Sequence, residues 1–259
     1  MKIGIIGLGS IGSRHAQNIQ ELYPQASITI LTKRKTWEKI GPHTQLISSP
    51  KEFYAQSHDV YFITNETREH AETILKCLST SPRGIFVEKP LAHNLKDLEK
   101  IKRTVAQQKV VFIVGYCMQW YEPFLRIKKL LEAKTIGKVH GMRVTVGQDL
   151  RTWRLGDYRT HYSADPKRGG GVIFDLIHEL NYPGWMLGER LKFISGVSTK
   201  ISLLEIGTED VAESVLVSSQ GALVSVHQDY FQVPGGRACE VWGNKGTIIW
   251  RWLVSQGHN

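Results

Sequence analysis

Residues 2–12 read Lys2-Ile3-Gly4-Ile5-Ile6-Gly7-Leu8-Gly9-Ser10-Ile11-Gly12, and this stretch decides the fold class. Its first half is a short apolar run, as expected of a parallel strand buried on both faces. Its second half is G-x-G-x-x-G, common by chance but informative when it follows a strand and opens a helix. Behind it, Ile11, His15, Ile19 and Leu22 recur at helical spacing, and Tyr23-Pro24 stops the helix. In that setting Gly7 makes the tight turn, Gly9 lets a pyrophosphate approach the backbone, and Gly12 allows close helix–strand packing. Ser10 and Ile11 add N–H groups of the helix N-terminus, which suit phosphate oxygens.

Working outward, strand-like runs at 27–32, 45–48, 59–64, 84–87 and 110–114 are separated by helical patterns. The helix after the fourth strand sets Ala71, Ile74, Leu75 and Leu78 on one face. The one after the fifth is expected to be capped by Asn94, with Leu95, Leu98, Ile101 and Val105 inward. Alternation of this kind predicts a doubly wound parallel sheet. The pattern changes after Pro123. A helix at 124–132 leads to a longer, alternating strand at 138–146, a polar aromatic loop at 148–168, and Gly169-Gly170-Gly171 opening a second helix. Five strand-like runs follow with no helix between them, which predicts an open, mainly antiparallel sheet. The expected organisation is a Rossmann dinucleotide-binding domain over 1–120 and an α/β domain for substrate binding and oligomerisation over 121–259.

The residue that reads the adenosine ribose lies about 20 positions beyond the glycine loop. Thr32-Lys33-Arg34 stand there, with no carboxylate to hold a 2′-hydroxyl. A hydroxyl and two cations suit a 2′-phosphate, so NADP is preferred, with NAD also allowed.

Four features together resemble the glucose-fructose oxidoreductase / inositol dehydrogenase (Gfo/Idh/MocA) family. They are the first glycine loop; Thr64-Asn65 with His70; Glu88-Lys89-Pro90; and the glycine triplet followed by Asp175 and His178. The resemblance implies an NAD(P)-dependent oxidoreductase acting on a sugar, sugar-derivative or cyclitol hydroxyl or carbonyl. It implies that Thr64, Asn65, His70, Glu88 and Lys89 serve the dinucleotide, with Lys89 also at the substrate hydroxyl and Pro90 often cis. It implies that His178 faces the substrate and that Asp175 holds the sugar or the imidazole. Three residues apart on one helix, Asp175 and His178 are expected to share a face, and His is the natural acid/base near neutral pH. Tyr116, Gln119, Trp153, Arg154 and Tyr162 are candidate substrate contacts, since rings stack on sugars and Arg binds carboxylate or phosphate. The stretch from Trp153 to Glu179 most resembles members linked to sialic-acid-like or nucleotide-linked sugars. Family sheet faces imply a homo-oligomer.

The chain departs from the family pattern in places. Cys117, Gln119 and Trp120 stand where many members carry Asn, Arg and Phe, and Asn181 where many carry Asp. Pro183-Gly184 is expected to interrupt the helix carrying His178. The chain ends soon after Trp250-Arg251-Trp252, so a shortened C-terminal region is expected. These departures leave open a catalytically weak NADP-binding regulatory or structural subunit, and, because fold does not fix substrate, a related reductase of a non-sugar substrate is a second alternative.

Bulk properties bound the rest. With 41% hydrophobic and 22% charged residues the chain is not disordered. A net charge of +9 favours an anionic small-molecule partner, but no long Lys/Arg block points to nucleic acid. Cys77, Cys117 and Cys239 are scattered without metal-type spacing, which fits a reducing, cytoplasmic setting and predicts no metal. No apolar run approaches a membrane span of about 18 residues. The apolar start is read as strand and turn, not as a signal segment.

Overall fold

Parallel strands buried on both faces need helices on both faces. The first part of the chain is built that way: β1 (Lys2–Ile6), α1 (Ser10–Leu22), β2 (Ser27–Leu31), β3 (Thr44–Ile47), α2 (Pro50–Ala55), β4 (Val60–Ile63), α3 (His70–Leu78), β5 (Gly84–Val87), α4 (Leu98–Gln108) and β6 (Val111–Val114). The structure is a computed structural model and describes residues 1–39, 41–153 and 156–253. Chain contacts divide it into two units, Met1–Gly115 and Tyr116–Asn259.

Among the described residues, the first unit holds one sheet, β3-β2-β1-β4-β5-β6, with every pair parallel. Ile3, Ile5, Ile28 and Ile30 pack with Ala16 and Ile19 on one face. Ile63, Ile85 and Val87 pack with Ile74, Leu78 and Ile101 on the other. Strand order reverses at β1, between β2 and β4, which opens a crevice at the strands' carboxyl ends. The buried stripe of α1 is Gly12, Ala16 and Ile19. Leu22, at helical spacing with His15 and Ile19, is 71% exposed. Small side chains bring this helix close to the sheet, and His15 lies at the edge of the stripe. Asn94 does not cap α4, because its Oδ1 accepts the Lys96 N–H two residues on. That local turn leaves Leu95 82% exposed, and the helix starts at Leu98.

The second unit contains α5 (Glu122–Glu132), β7 (Val139–Gly147), α6 (Leu150–Trp153), α7 (Val172–Asp175), α8 (His178–Leu187), β8 (Leu191–Thr199), β9 (Val211–Ser218), β10 (Leu223–Asp229), β11 (Gly236–Gly243) and β12 (Gly246–Leu253). The sheet order is β12-β11-β7-β10-β9-β8, with β7–β10 parallel and the other pairs antiparallel. Phe124 and Ile127 of α5 and Tyr182 and Met186 of α8 pack over Met142, Val144, Val224, Val226, Cys239 and Val241.

The helix expected after the glycine triplet is two helices. Leu176, at φ −102° and ψ 29°, leaves helical geometry, and the buried Gln228 amide donates to its carbonyl at 2.7 Å. The interruption therefore falls before His178, not at Pro183. Pro183 lies within α8, which continues to Leu187 and closes on Gly188 in the left-handed region, φ +67°.

Candidate functional site

In the first unit the main chain shapes the site. Gly7 sits at φ +98°, and a Cβ there would lie 2.8 Å from the Asn65 N. A Cβ on Gly12 would strike the Gly7 carbonyl and the Thr64 hydroxyl, so the turn and helix need both glycines. Thr64 Oγ1 ties the turn by donating to the carbonyls of Ile6 and Gly7 at 3.0 and 2.9 Å. A Cβ on Gly9, in contrast, would meet nothing within 4 Å. Gly9 has no side-chain cap to offer α1, and the N–H groups of Ser10 and Ile11 lie in the first turn, beyond reach of any helical carbonyl. That open cradle fits a dinucleotide pyrophosphate. Asn65 Oδ1, buried without a hydrogen-bond partner, adds an acceptor suited to a ligand hydroxyl or amide. Beyond β2, Thr32 is half-buried and Lys33, Arg34 and Lys35 are exposed. The chain then folds back, and Trp37 Nε1 donates to Ser13 Oγ at 3.1 Å.

The segment after β5 is held from two sides. Glu88 Oε1 lies 2.8 Å from His15 Nε2, and Glu88 Oε2 accepts the Lys89 N–H at 3.2 Å. The Lys89–Pro90 peptide bond is cis. His70 is buried, its Nδ1 2.8 Å from the Pro90 carbonyl and its Nε2 3.1 Å from the Asn65 carbonyl. Two carbonyls facing one ring favour imidazolium, but burial, the larger effect, pushes its pKa down. His70 thus joins the Asn65 and Pro90 loops rather than facing solvent.

In the second unit side chains converge. Cys117 Sγ lies 3.8 Å from His178 Nε2, and the Tyr116 ring stands edge-on to the imidazole at 6.1 Å. Burial raises the Tyr116 pKa. Gln119 Nε2 donates to Asn181 Oδ1 at 2.8 Å, so two residues that depart from the family pattern pair with each other. Arg237 stands 2.5 Å from the fully buried Glu179 carboxylate and also reaches Met118 Sδ. Three successive residues, Cys117 to Gln119, are thereby linked to the first turn of α8.

Asp175 does not lie on one helical face with His178. It is 3% exposed and accepts from Tyr162 OH, from Ser163 Oγ at 2.6 Å and from Tyr230 OH at 3.1 Å. The glycine triplet makes this knot possible, since a Cβ on Gly170 would overlap the carbonyls of Tyr162 and Ser163. Tyr162 thus serves the knot, and Trp153 packs near Tyr230, ring centroids 6.3 Å apart. Arg154 lies outside the described residues. Sequence reading passed over Ser163, Tyr230 and Arg237, which carry no spacing signal. His15 had one, a polar residue inside an apolar stripe.

Fold and cradle together define the class, a dinucleotide-binding protein with a Rossmann unit followed by an α/β unit. Residues 1–116 match the family described as "Oxidoreductase family, NAD-binding Rossmann fold" and residues 124–249 match the "GFO/IDH/MocA C-terminal domain". The chain belongs to the Gfo/Idh/MocA oxidoreductase family. It is 29% identical to the myo-inositol 2-dehydrogenase of Thermotoga maritima, over 96% of this chain and 75% of that protein. It is 23% identical to the 2,7-anhydro-N-acetylneuraminate hydratase of Escherichia coli, over 72% and 49%. The WlbA dehydrogenase of Bordetella pertussis, solved with NADH and UDP-GlcNAcA, shares the fold with a TM-score of 0.86 at 17% identity, over 97% and 74%. Among the described residues no helix is long and apolar enough to cross a membrane.

Proposed function

We propose that this oxidoreductase is an NADP-preferring dehydrogenase or reductase of a sugar, sugar derivative or cyclitol. The observation that carries the reading is the place of Lys89, two residues beyond the carboxyl end of β5 and fixed through Glu88. Ligands of such sheets gather at that end. The inositol dehydrogenase relative supports a polyol substrate, and the cations beyond β2, with no carboxylate among Thr32 to Lys35, support a 2′-phosphate.

The glycine cradle, Thr64 and Asn65 would hold the dinucleotide, which when bound supplies the hydride acceptor or donor. Lys89 holds the substrate oxygen and stabilises charge on it. His178 takes or returns the hydroxyl proton, with Tyr116 and Cys117 limiting the positions its ring can adopt. Asp175, engaged by three hydroxyls, fixes the loop around Tyr162 and acts on the substrate only through it. Self-association belongs to the same reading. The second sheet's outer face, turned away from α5 and α8, leaves Val197, Leu223 and Ile249 exposed.

The test is turnover of a panel of cyclitols, hexoses and their acids with NADP and NAD, comparing wild type with His178→Asn. The variant should keep dinucleotide affinity and lose about 10²–10⁴ in kcat. Light scattering of the same preparation should give a mass of two or more chains. Tight dinucleotide binding with no turnover across the panel would favour the non-catalytic subunit.

A further inference from the structure

The tie between α1 and the end of β5 is not needed for either element to form. His15 lies on α1 one turn beyond Gly12, so it moves with the phosphate-binding helix. Its ring rests on two aromatic side chains of the sheet, Phe62 of β4 at 5.6 Å and Phe86 of β5 at 4.9 Å between centroids. Those two rings stack on each other at 5.2 Å. The platform aims His15 Nε2 at Glu88 Oε1, 2.8 Å away, while the other Glu88 oxygen accepts the Lys89 N–H. Both side chains of the pair are mostly buried, at 19% and 15% exposure, so water competes little for the contact. Space around the carboxylate is limited too. A Cβ on Gly115 would approach Glu88 Oε2 to 3.2 Å.

We infer that His15 is a positioning residue for Lys89, acting through Glu88, and that this relay couples the phosphate-binding helix to the residue assigned to the substrate oxygen. The inference rests on the proposed role of Lys89. Its physical content is simple. A carboxylate on a strand end has several rotamers. An aromatic platform and an imidazole select one of them, and in that one Glu88 fixes the backbone from which the Lys89 side chain leaves. A dinucleotide that draws on the N-terminus of α1 then acts on a helix already joined to Lys89.

Two substitutions separate this role from packing. His15→Leu keeps an apolar body on Phe62 and Phe86 but loses the nitrogen. His15→Gln keeps an N–H donor of similar reach. Amide exchange at Lys89 is read by NMR in dinucleotide-free protein, and kcat and dinucleotide Kd are measured beside it. In His15→Leu the Lys89 amide should exchange about 10-fold faster or more, and kcat should fall about 10-fold or more, while Kd stays within about 3-fold. His15→Gln should stay within about 3-fold of wild type in all three. Unchanged Lys89 exchange in His15→Leu overturns the inference. So does equal damage in both variants, which would assign the effect to the ring, or a loss confined to Kd. If wild type turns over no polyol, the substrate reading fails while the exchange measurement still decides the relay.

Discussion

The two units build their polar centres by opposite means. In the first, the main chain does most of the work, through a glycine turn, an uncapped helix N-terminus and a cradle that stays open because Gly9 has no side chain. In the second, side chains from distant positions close on one another. Tyr162, Ser163 and Tyr230 meet on Asp175, Arg237 meets Glu179, and Gln119 meets Asn181. A backbone-built site tolerates side-chain change at its rim, whereas a side-chain-built site fails when one partner is removed.

The largest test of that contrast is Arg237→Met. Glu179 is fully buried, and the substitution removes the guanidinium that stands 2.5 Å from its carboxylate. Breaking a buried pair from one side costs about 3–5 kcal/mol, whereas replacing both partners with well-packed residues is often close to neutral. Arg237→Met should therefore destabilise the second unit by roughly that amount, and Glu179→Leu with Arg237→Met should recover most of it. Six of the seven tryptophans lie beyond residue 115, so tryptophan fluorescence in urea follows this unit. A double variant as unstable as the single would show that Arg237 acts by packing rather than by charge.

A smaller effect probes the rim of the backbone-built site. Arg34 is exposed and lies outside the glycine cradle, so Arg34→Ala should leave stability and NAD affinity nearly unchanged. NADP affinity should fall about 10-fold, the order expected for losing a charged phosphate contact. Paired titrations of both dinucleotides check this, and equal losses for the two would remove the 2′-phosphate reading.

The same contrast explains what the sequence reveals. Turns and helix starts impose residue types at fixed spacing, so Gly7, Gly9 and Gly12 are legible within one short stretch. The parallel and mainly antiparallel sheets follow from the change of period after Pro123. The break before His178 is not legible locally, because the residue that donates to the Leu176 carbonyl, Gln228, lies 52 positions away on β10. The place of Asp175 is not legible locally for the same reason. Its spacing to His178 suggests a shared helical face, but its partners lie at 162, 163 and 230. His15 carries a weak signal, a polar residue within a helical period, but its partner Glu88 lies 73 positions away and is not legible from it.

The smallest expected effect sets the two units against each other in pH. In the second, His227 lies between two carboxylates, with Asp229 Oδ2 at 2.9 Å from Nε2 and Glu213 Oε1 at 2.5 Å from Nδ1. The Asp229 contact is the larger cause and Glu213 adds to it, and together they raise the His227 pKa to about 9. In the first unit burial, the larger cause, lowers His58 and His70. The signs follow from linkage. A pKa raised in the folded state gives stability that is fully present below the ordinary histidine value of 6.5 and is lost as pH rises through about 9. A lowered one gives the reverse, with stability lost as pH falls below 6.5, where the unfolded chain takes up protons that the buried rings refuse. Urea midpoints followed by tryptophan fluorescence should therefore decline for wild type between pH 6.5 and 9.5. His227→Gln should flatten that decline, because a neutral side chain between Glu213 and Asp229 does not titrate. Its midpoint should lie below that of wild type at pH 6.5 and approach it at pH 9.5. Parallel wild-type and variant profiles would mean that the alkaline limit of this unit is set elsewhere, and the opposition between the two units would then rest on the buried histidines alone.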